Sequence, residues 1–188
     1  GRVRLFEIGP VFHKDEGVIR EQTKLAGIVT GTVAPEQWGQ ASRPVDFYDL
    51  KGELEAVLAQ ATAQRFHFIP VAHPALHPGQ SAQIATDTAV VGWMGALHPS
   101  LEAQLGLTQD VFLFELDMSA LTGRRLPKYE AVTRFPTIRR DLALLVNKPV
   151  LAIALEQAIA RVAPPQLVKW QVFDVYTGQG VAEHQKSV

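Results

Sequence analysis

The 188 residues contain no cysteine. That excludes disulfides, thiolate metal sites and a cysteine nucleophile, and it suits a reducing cytoplasm. No apolar run approaches the ~18–20 residues that a membrane span needs. The opening GRVRLFEIG carries two arginines and a glutamate within a strand-like run, so no signal-peptide pattern is present. Motifs that announce common chemistries are also missing. There is no GxxxxGK[ST] phosphate loop, no GxSxG nucleophile turn and no HExxH zinc site. His73 and His77 are spaced i, i+4, but Pro74 and Pro78 flank them and no acidic residue lies nearby, so no metal is expected there. The start at Gly1 and the stop at Lys186-Ser187-Val188 read as the ends of a piece excised from a longer protein.

What is present is an ordinary globular composition, 47% hydrophobic and 20% charged, which argues against disorder. A net charge of −1 hides a split. Residues 1–123 carry 8 Lys+Arg against 14 Asp+Glu, net −6, while residues 124–188 carry 10 against 5, net +5. Such asymmetry points to an anionic partner at the basic end, here RNA, with the acidic end as a scaffold.

The pattern reads as α+β. Leu5–Phe12 is a strand whose Pro10 favours an edge or a bulge. Residues 14–21 read as a charged loop, Lys24–Thr30 as a second strand ended by Gly31, and 32–45 as a loop whose only large apolar residue is Trp38. Asp49 is the expected N-cap of a helix that places Leu50, Leu54, Val57 and Leu58 on one face. Arg65–Val71 is a strand, and His73–Gln80 a turn-rich connector. Ser81–Ala85 and Ala89–Leu97 form a hairpin around Thr86-Asp87-Thr88. Pro99 opens a short helix closed by Gly106, Val111–Asp117 is a central strand, and a brief helix starts at Ser119.

The stretch Thr122–Lys128 is polar, with Gly and Pro, and marks a domain boundary. Beyond it come a strand at Leu142–Val146, a helix at Leu151–Ala163 stopped by Pro164-Pro165, a strand at Leu167–Val175, a turn at Thr177–Gly180 and the start of a further strand. This β-α-β order is that of an incomplete ferredoxin-like module. In it Arg134, Arg139 and Arg140 precede an apolar strand and are candidate phosphate contacts. Lys169 is expected on the exposed face and adds positive field. Phe173, alternating with Gln171 and Val175, is expected in the core, which leaves Tyr176 as the side chain to stack on an unpaired base.

The segment Arg4-Leu5-Phe6-Glu7-Ile8-Gly9, then Phe12 and a charged loop, resembles motif 2 of class II aminoacyl-tRNA synthetases. That resemblance implies an arginine on the ATP α-phosphate, where a guanidinium neutralises charge gained in the transition state. This chain has His13 and Lys14 at that place. The stretch corresponding to motif 3, FLFELDMSAL (Phe112–Leu121), has neither Gly nor Arg. The ordered series LFEIG, DFYDLKG (Asp46–Gly52), LHPGQSA (Leu76–Ala82), GALHP (Gly95–Pro99), FEL (Phe114–Leu116), FPTIRRDLA (Phe135–Ala143) and FDVYTGQG (Phe173–Gly180) resembles the β subunits of bacterial phenylalanyl-tRNA synthetases along essentially the whole chain.

The resemblance implies a non-catalytic class II-like antiparallel domain at 1–123, a linker at 124–133 and a truncated ferredoxin-fold anticodon-binding domain at 134–188. It implies partnership with the α subunit in an α2β2 enzyme and contact with the anticodon region of tRNA(Phe). ATP and magnesium belong to the whole enzyme and no catalytic residue or cofactor to this piece; editing and N-terminal tRNA-binding modules lie upstream. In an active relative, Asp46–Gly52 and Leu76–Gln80 would line the amino-acid pocket. A free-standing ligase paralogue on a degenerate class II fold and a pure protein-interaction module are the alternatives.

Overall fold

The computed structural model describes residues 1–123, 129 and 134–188. They fall in two compact units, Gly1–Lys128 and Tyr129–Val188. Except for Tyr129, the linker expected at 124–133 lies outside the described residues.

Unit 1 is a six-stranded antiparallel sheet among its described residues. Its strands are β1 (Val3–Asp15), β2 (Val18–Thr30), β3 (His67–Pro70), β4 (Leu76–Ala85), β5 (Val90–Leu97) and β6 (Val111–Asp117), in the order β1-β2-β6-β5-β4-β3. The nearly continuous apolar β6 is central, and β1, with Pro10, is an edge, where a missing N–H donor is tolerated.

Two helices frame the sheet. In α1 (Phe47–Ala61), Leu50, Leu54 and Leu58 are buried against Val29, Ala82, Ile84, Met94, Phe112 and Leu116. The short α2 (Pro99–Leu105) has Pro at its first turn and ends at left-handed Gly106. A single 3-10 turn follows β6 at Met118–Leu121.

Four expectations for unit 1 need correction. The charged loop at 14–21 is instead the tip of a long hairpin. The turn is only Glu16-Gly17, with φ of 47° and 86°, as a two-residue hairpin turn with positive φ requires. Its charges read as a loop because the hairpin runs out beyond the core, where solvated side chains are no penalty. The helix starts at Phe47 with Asp46 as N-cap: Asp46 Oδ1 accepts from the N–H of Tyr48 (2.8 Å) and Asp49 (2.9 Å). Asp49 instead closes a capping box by accepting from Asp46 N–H at 2.9 Å. Val57 lies on the rim of the apolar stripe and is 45% exposed. Finally, β4 begins at Leu76, which is buried, and the Pro78-Gly79 stretch forms an irregularity between the Leu76–Leu97 and Ser81–Gly95 pairs.

Unit 2 holds β7 (Leu145–Asn147), α3 (Ala152–Val162) and β8 (Gln185–Ser187), with β7 and β8 antiparallel. The strand expected at Leu167–Val175 does not form. An isolated bridge pairs Tyr176 with Ser187 just after it. None of the described side chains of unit 2 is buried, so the alternation in 167–175 has no apolar surface to pack on. For the same reason Phe173 is not a core residue; it is 61% exposed.

Candidate functional site

Paired residues of neighbouring antiparallel strands share a face of the sheet. In unit 1, α1 covers the face of Val29, Phe112, Met94 and Ile84. The register then sets a row across the opposite face, running Ile69, Gln83, Trp93, Glu115, Ala26 and Glu7 from β3 to β1. Beside it, Lys24 Nζ sits 2.5 Å from Asp117 and 3.2 Å from Glu115. Partial burial works against its charge, but the two carboxylates hold the ammonium above its ordinary value. The sequence gives no hint of this group, because Lys24 meets Asp117 only once β2 and β6 are known to be neighbours.

Two of the hairpin's other three cations, Arg4 and Arg20, are also engaged, while Lys14 forms no ion pair among the described residues. Arg4 is bound to Glu53 of α1 and donates to the Val33 carbonyl at 3.1 Å. Arg20 lies across from His13, at the motif 2-like position, and its Nε is 3.2 Å from Asp15. Three of the hairpin's four cations thus have their field offset by carboxylates, which weakens its hold on a phosphate.

The two segments expected to line an amino-acid pocket serve other ends. Arg43 grips Asp49 through two 2.7 Å bonds, so the start of DFYDLKG is a fastened helix cap. The hydrogen bond from Arg43 outweighs partial burial and, with the Asp46 N–H, holds the Asp49 carboxyl below the usual range. His73 Nδ1 accepts from Ala75 N–H and His77 Nδ1 from Gly79 N–H, and the His73 ring lies 5.1 Å from that of Trp93. Both histidines therefore serve local turns. Among the described residues no three His, Cys, Asp or Glu gather as a metal site.

In unit 2, Arg134, Arg139, Arg140 and Lys169 are all exposed. Arg139 Nε lies 3.2 Å from Asp141 Oδ1, and its guanidinium stands 5.8 Å over the Phe173 ring. Alternation alone pointed Phe173 inward and gave no signal of this pair. Among the described residues Arg134, Arg140 and Lys169 form no ion pair. Tyr176 exchanges two 2.8 Å backbone bonds with Ser187, donates its hydroxyl to Gln179 O at 3.2 Å and keeps its ring half exposed. Unit 2 thus offers exposed cations that form no ion pair among the described residues, and a fixed aromatic ring, groups suited to phosphate and base contact.

Comparison with known proteins bears on both units. Residues 1–118 match the family model described as the phenylalanyl tRNA synthetase beta chain CLM domain, and residues 133–188 match the ferredoxin-fold anticodon binding domain. A phenylalanine–tRNA ligase beta subunit of Methylococcus capsulatus is 46% identical over 187 residues, which cover 100% of this chain and 24% of the relative. Similar proteins of the same description from Nitrosococcus oceani and Pseudomonas fluorescens are 42% and 45% identical, with the same shares covered. The chain thus spans about a quarter of the length of the curated relatives it matches.

Proposed function

Because this chain belongs to the phenylalanyl-tRNA synthetase beta chain family, we propose that it is a non-catalytic part of phenylalanine–tRNA ligase. It supports aminoacylation in the cytoplasm by associating with the α subunit and by holding the anticodon region of tRNA(Phe). The assembled enzyme is an α2β2 heterotetramer. ATP and magnesium act in that enzyme at residues other than these. No helix among the described residues is long and apolar enough to cross a membrane.

One contrast supports this reading. Among residues 1–123 five of the eight Lys and Arg side chains, Arg4, Arg20, Lys24, Arg43 and Lys51, are held by carboxylates in a segment of net charge −6, while in unit 2, whose charge is positive, Arg134, Arg140 and Lys169 are exposed and form no ion pair among the described residues. Arg134, Arg140 and Lys169 neutralise phosphates, Arg139 adds charge from its seat between Asp141 and Phe173, and Tyr176 stacks on an unpaired anticodon base. Stacking of that kind is worth about 1–3 kcal/mol per base.

Titration of the chain with two RNA fragments tests the proposal. The anticodon stem-loop of tRNA(Phe) should bind nearly as well as the whole tRNA, and an acceptor-stem minihelix should bind at least ~10-fold more weakly, about 1.4 kcal/mol. Equal binding of both fragments would refute anticodon reading.

A further inference from the structure

The small ladder of unit 2 places two side chains beside Tyr176 that charge and stacking leave unused. Tyr176 pairs with Ser187 on one edge of β8, and β7 on the other edge pairs Leu145 with Ser187 and Asn147 with Gln185. Residues paired across antiparallel strands share a face, and so do residues two apart on one strand. Tyr176, Ser187, Gln185, Asn147 and Leu145 therefore stand on one face, and Val146 and Lys186 on the other. The face with Tyr176 carries no charged residue among these five. Asn147 is exposed and Gln185 half-exposed, and neither carboxamide forms a hydrogen bond among the described residues. Their backbone is nonetheless fixed. Lys148 N–H donates to the His184 carbonyl and Val150 N–H to the Asn147 carbonyl, both at 3.0 Å, so bonds close the ladder just past the pair.

We infer that Asn147 and Gln185 read the adenines of the anticodon, a specificity role that rests on the tRNA reading proposed above and deepens it. Gln185 is the diagonal cross-strand neighbour of Tyr176, roughly 7–8 Å away, and Asn147 lies directly opposite Gln185, with Cβ atoms about 4.5–5.5 Å apart. A base stacked on Tyr176 brings the next nucleotides to this pair. A carboxamide sets an N–H donor beside a carbonyl acceptor. The Hoogsteen edge of adenine is the complement, a ring-nitrogen acceptor beside an amino donor. Guanine shows two acceptors on that edge, so its carbonyl would oppose that of the side chain, and a guanidinium rather than a carboxamide suits it. Both phenylalanine codons open with two uridines, so the matching anticodon carries two adjacent adenines, one for each carboxamide. Neutral groups suit this task because they specify bases while the arginines of the same unit hold phosphates.

The test is titration of the full chain with anticodon stem-loops of tRNA(Phe), read by fluorescence anisotropy. One loop is native. In two others purine replaces one adenine or the other, which removes the amino donor and keeps a ring that stacks. The wild-type chain should bind the native loop at least ~5-fold more tightly than either purine loop. An Asn147→Ala/Gln185→Ala variant should bind all three loops within ~2-fold of one another, at about the wild-type affinity for the purine loops. Lys169→Ala should weaken all three together and keep their ratio, as a phosphate contact does. Circular dichroism checks the fold of the double variant, and the comparison of loops on the wild-type chain needs no variant. Wild-type binding that ignores the purine replacements overturns the inference. So does a double variant that keeps the wild-type ratio or that binds no loop. These outcomes leave anticodon reading standing wherever the native stem-loop outbinds the acceptor-stem minihelix. A wild-type chain without that preference overturns the anticodon reading and this inference together.

Discussion

Asp46, Asp49 and Arg43 show how a few side chains decide where an element starts. Removing the cap with Asp46→Ala leaves two first-turn N–H groups without their acceptor, and urea unfolding should register a loss of about 0.5–2 kcal/mol. Asp49 adds a pH dependence with a definite sign. Its folded-state pKa is depressed, so its stabilisation is present above the ordinary value of 3.8 and is lost as pH falls through the lower folded value. The stability gap between wild type and Asp49→Asn should be constant above about pH 5 and close toward about pH 2. Lys24 runs the other way. Its raised pKa stabilises the fold below 10.5, and that contribution is lost as pH rises through the higher folded value. Wild type should therefore lose stability relative to Lys24→Met above about pH 10.5, read from thermal melts in alkaline buffers. The DFYD spacing was legible as a helix start, but two aspartates three residues apart fit a cap equally well from sequence, and only the hydrogen bonds separate them.

At the scale of elements, legibility follows burial. The leucine stripe of α1 and the apolar run of β6 were readable because both meet the core, and Pro10 pointed correctly to an edge. The tip of the β1–β2 hairpin was not readable, since a strand in solvent loses the alternation that identifies it. The segment 167–175 failed in the opposite way: it alternates, yet among the described residues of unit 2 nothing is buried for it to pack on. Within the sheet, Gly27 is a point of close approach, where an added Cβ would lie 2.6 Å from the Phe114 ring and 2.9 Å from the Leu5 carbonyl. Gly27→Ala should cost about 1–3 kcal/mol by overpacking, whereas Gly52→Ala on α1, with open space around it, should be neutral or stabilising by up to ~1 kcal/mol. Chemical denaturation of the two variants checks the contrast. For unit 2, a helix without a buried residue draws little stability from tertiary packing. Its amides at Ala152–Val162 should exchange far faster in native-state hydrogen exchange than those of α1.

At the scale of the whole chain, the uneven charge is the property that the sequence displays most directly and that function turns on. Unit 1 has His13 and Lys14 where motif 2 would hold an arginine, no Arg in Phe112–Leu121, and Arg4, Arg20 and Lys24 held by carboxylates, so the chain mixed with ATP, phenylalanine and pyrophosphate should give no exchange above background. The basic residues of unit 2 carry the central claim, that this chain grips tRNA through phosphate charge. The most direct test is the tRNA(Phe) affinity of wild type and of an Arg134→Ala/Arg139→Ala/Arg140→Ala variant across a salt series. With about three phosphates neutralised, at ~0.7–0.9 log units per contact, wild-type affinity should fall roughly 20- to 40-fold between ~50 and ~200 mM salt, and the variant should lose most of that dependence. A wild-type affinity that ignores salt, or a variant with an undiminished slope, would contradict the account.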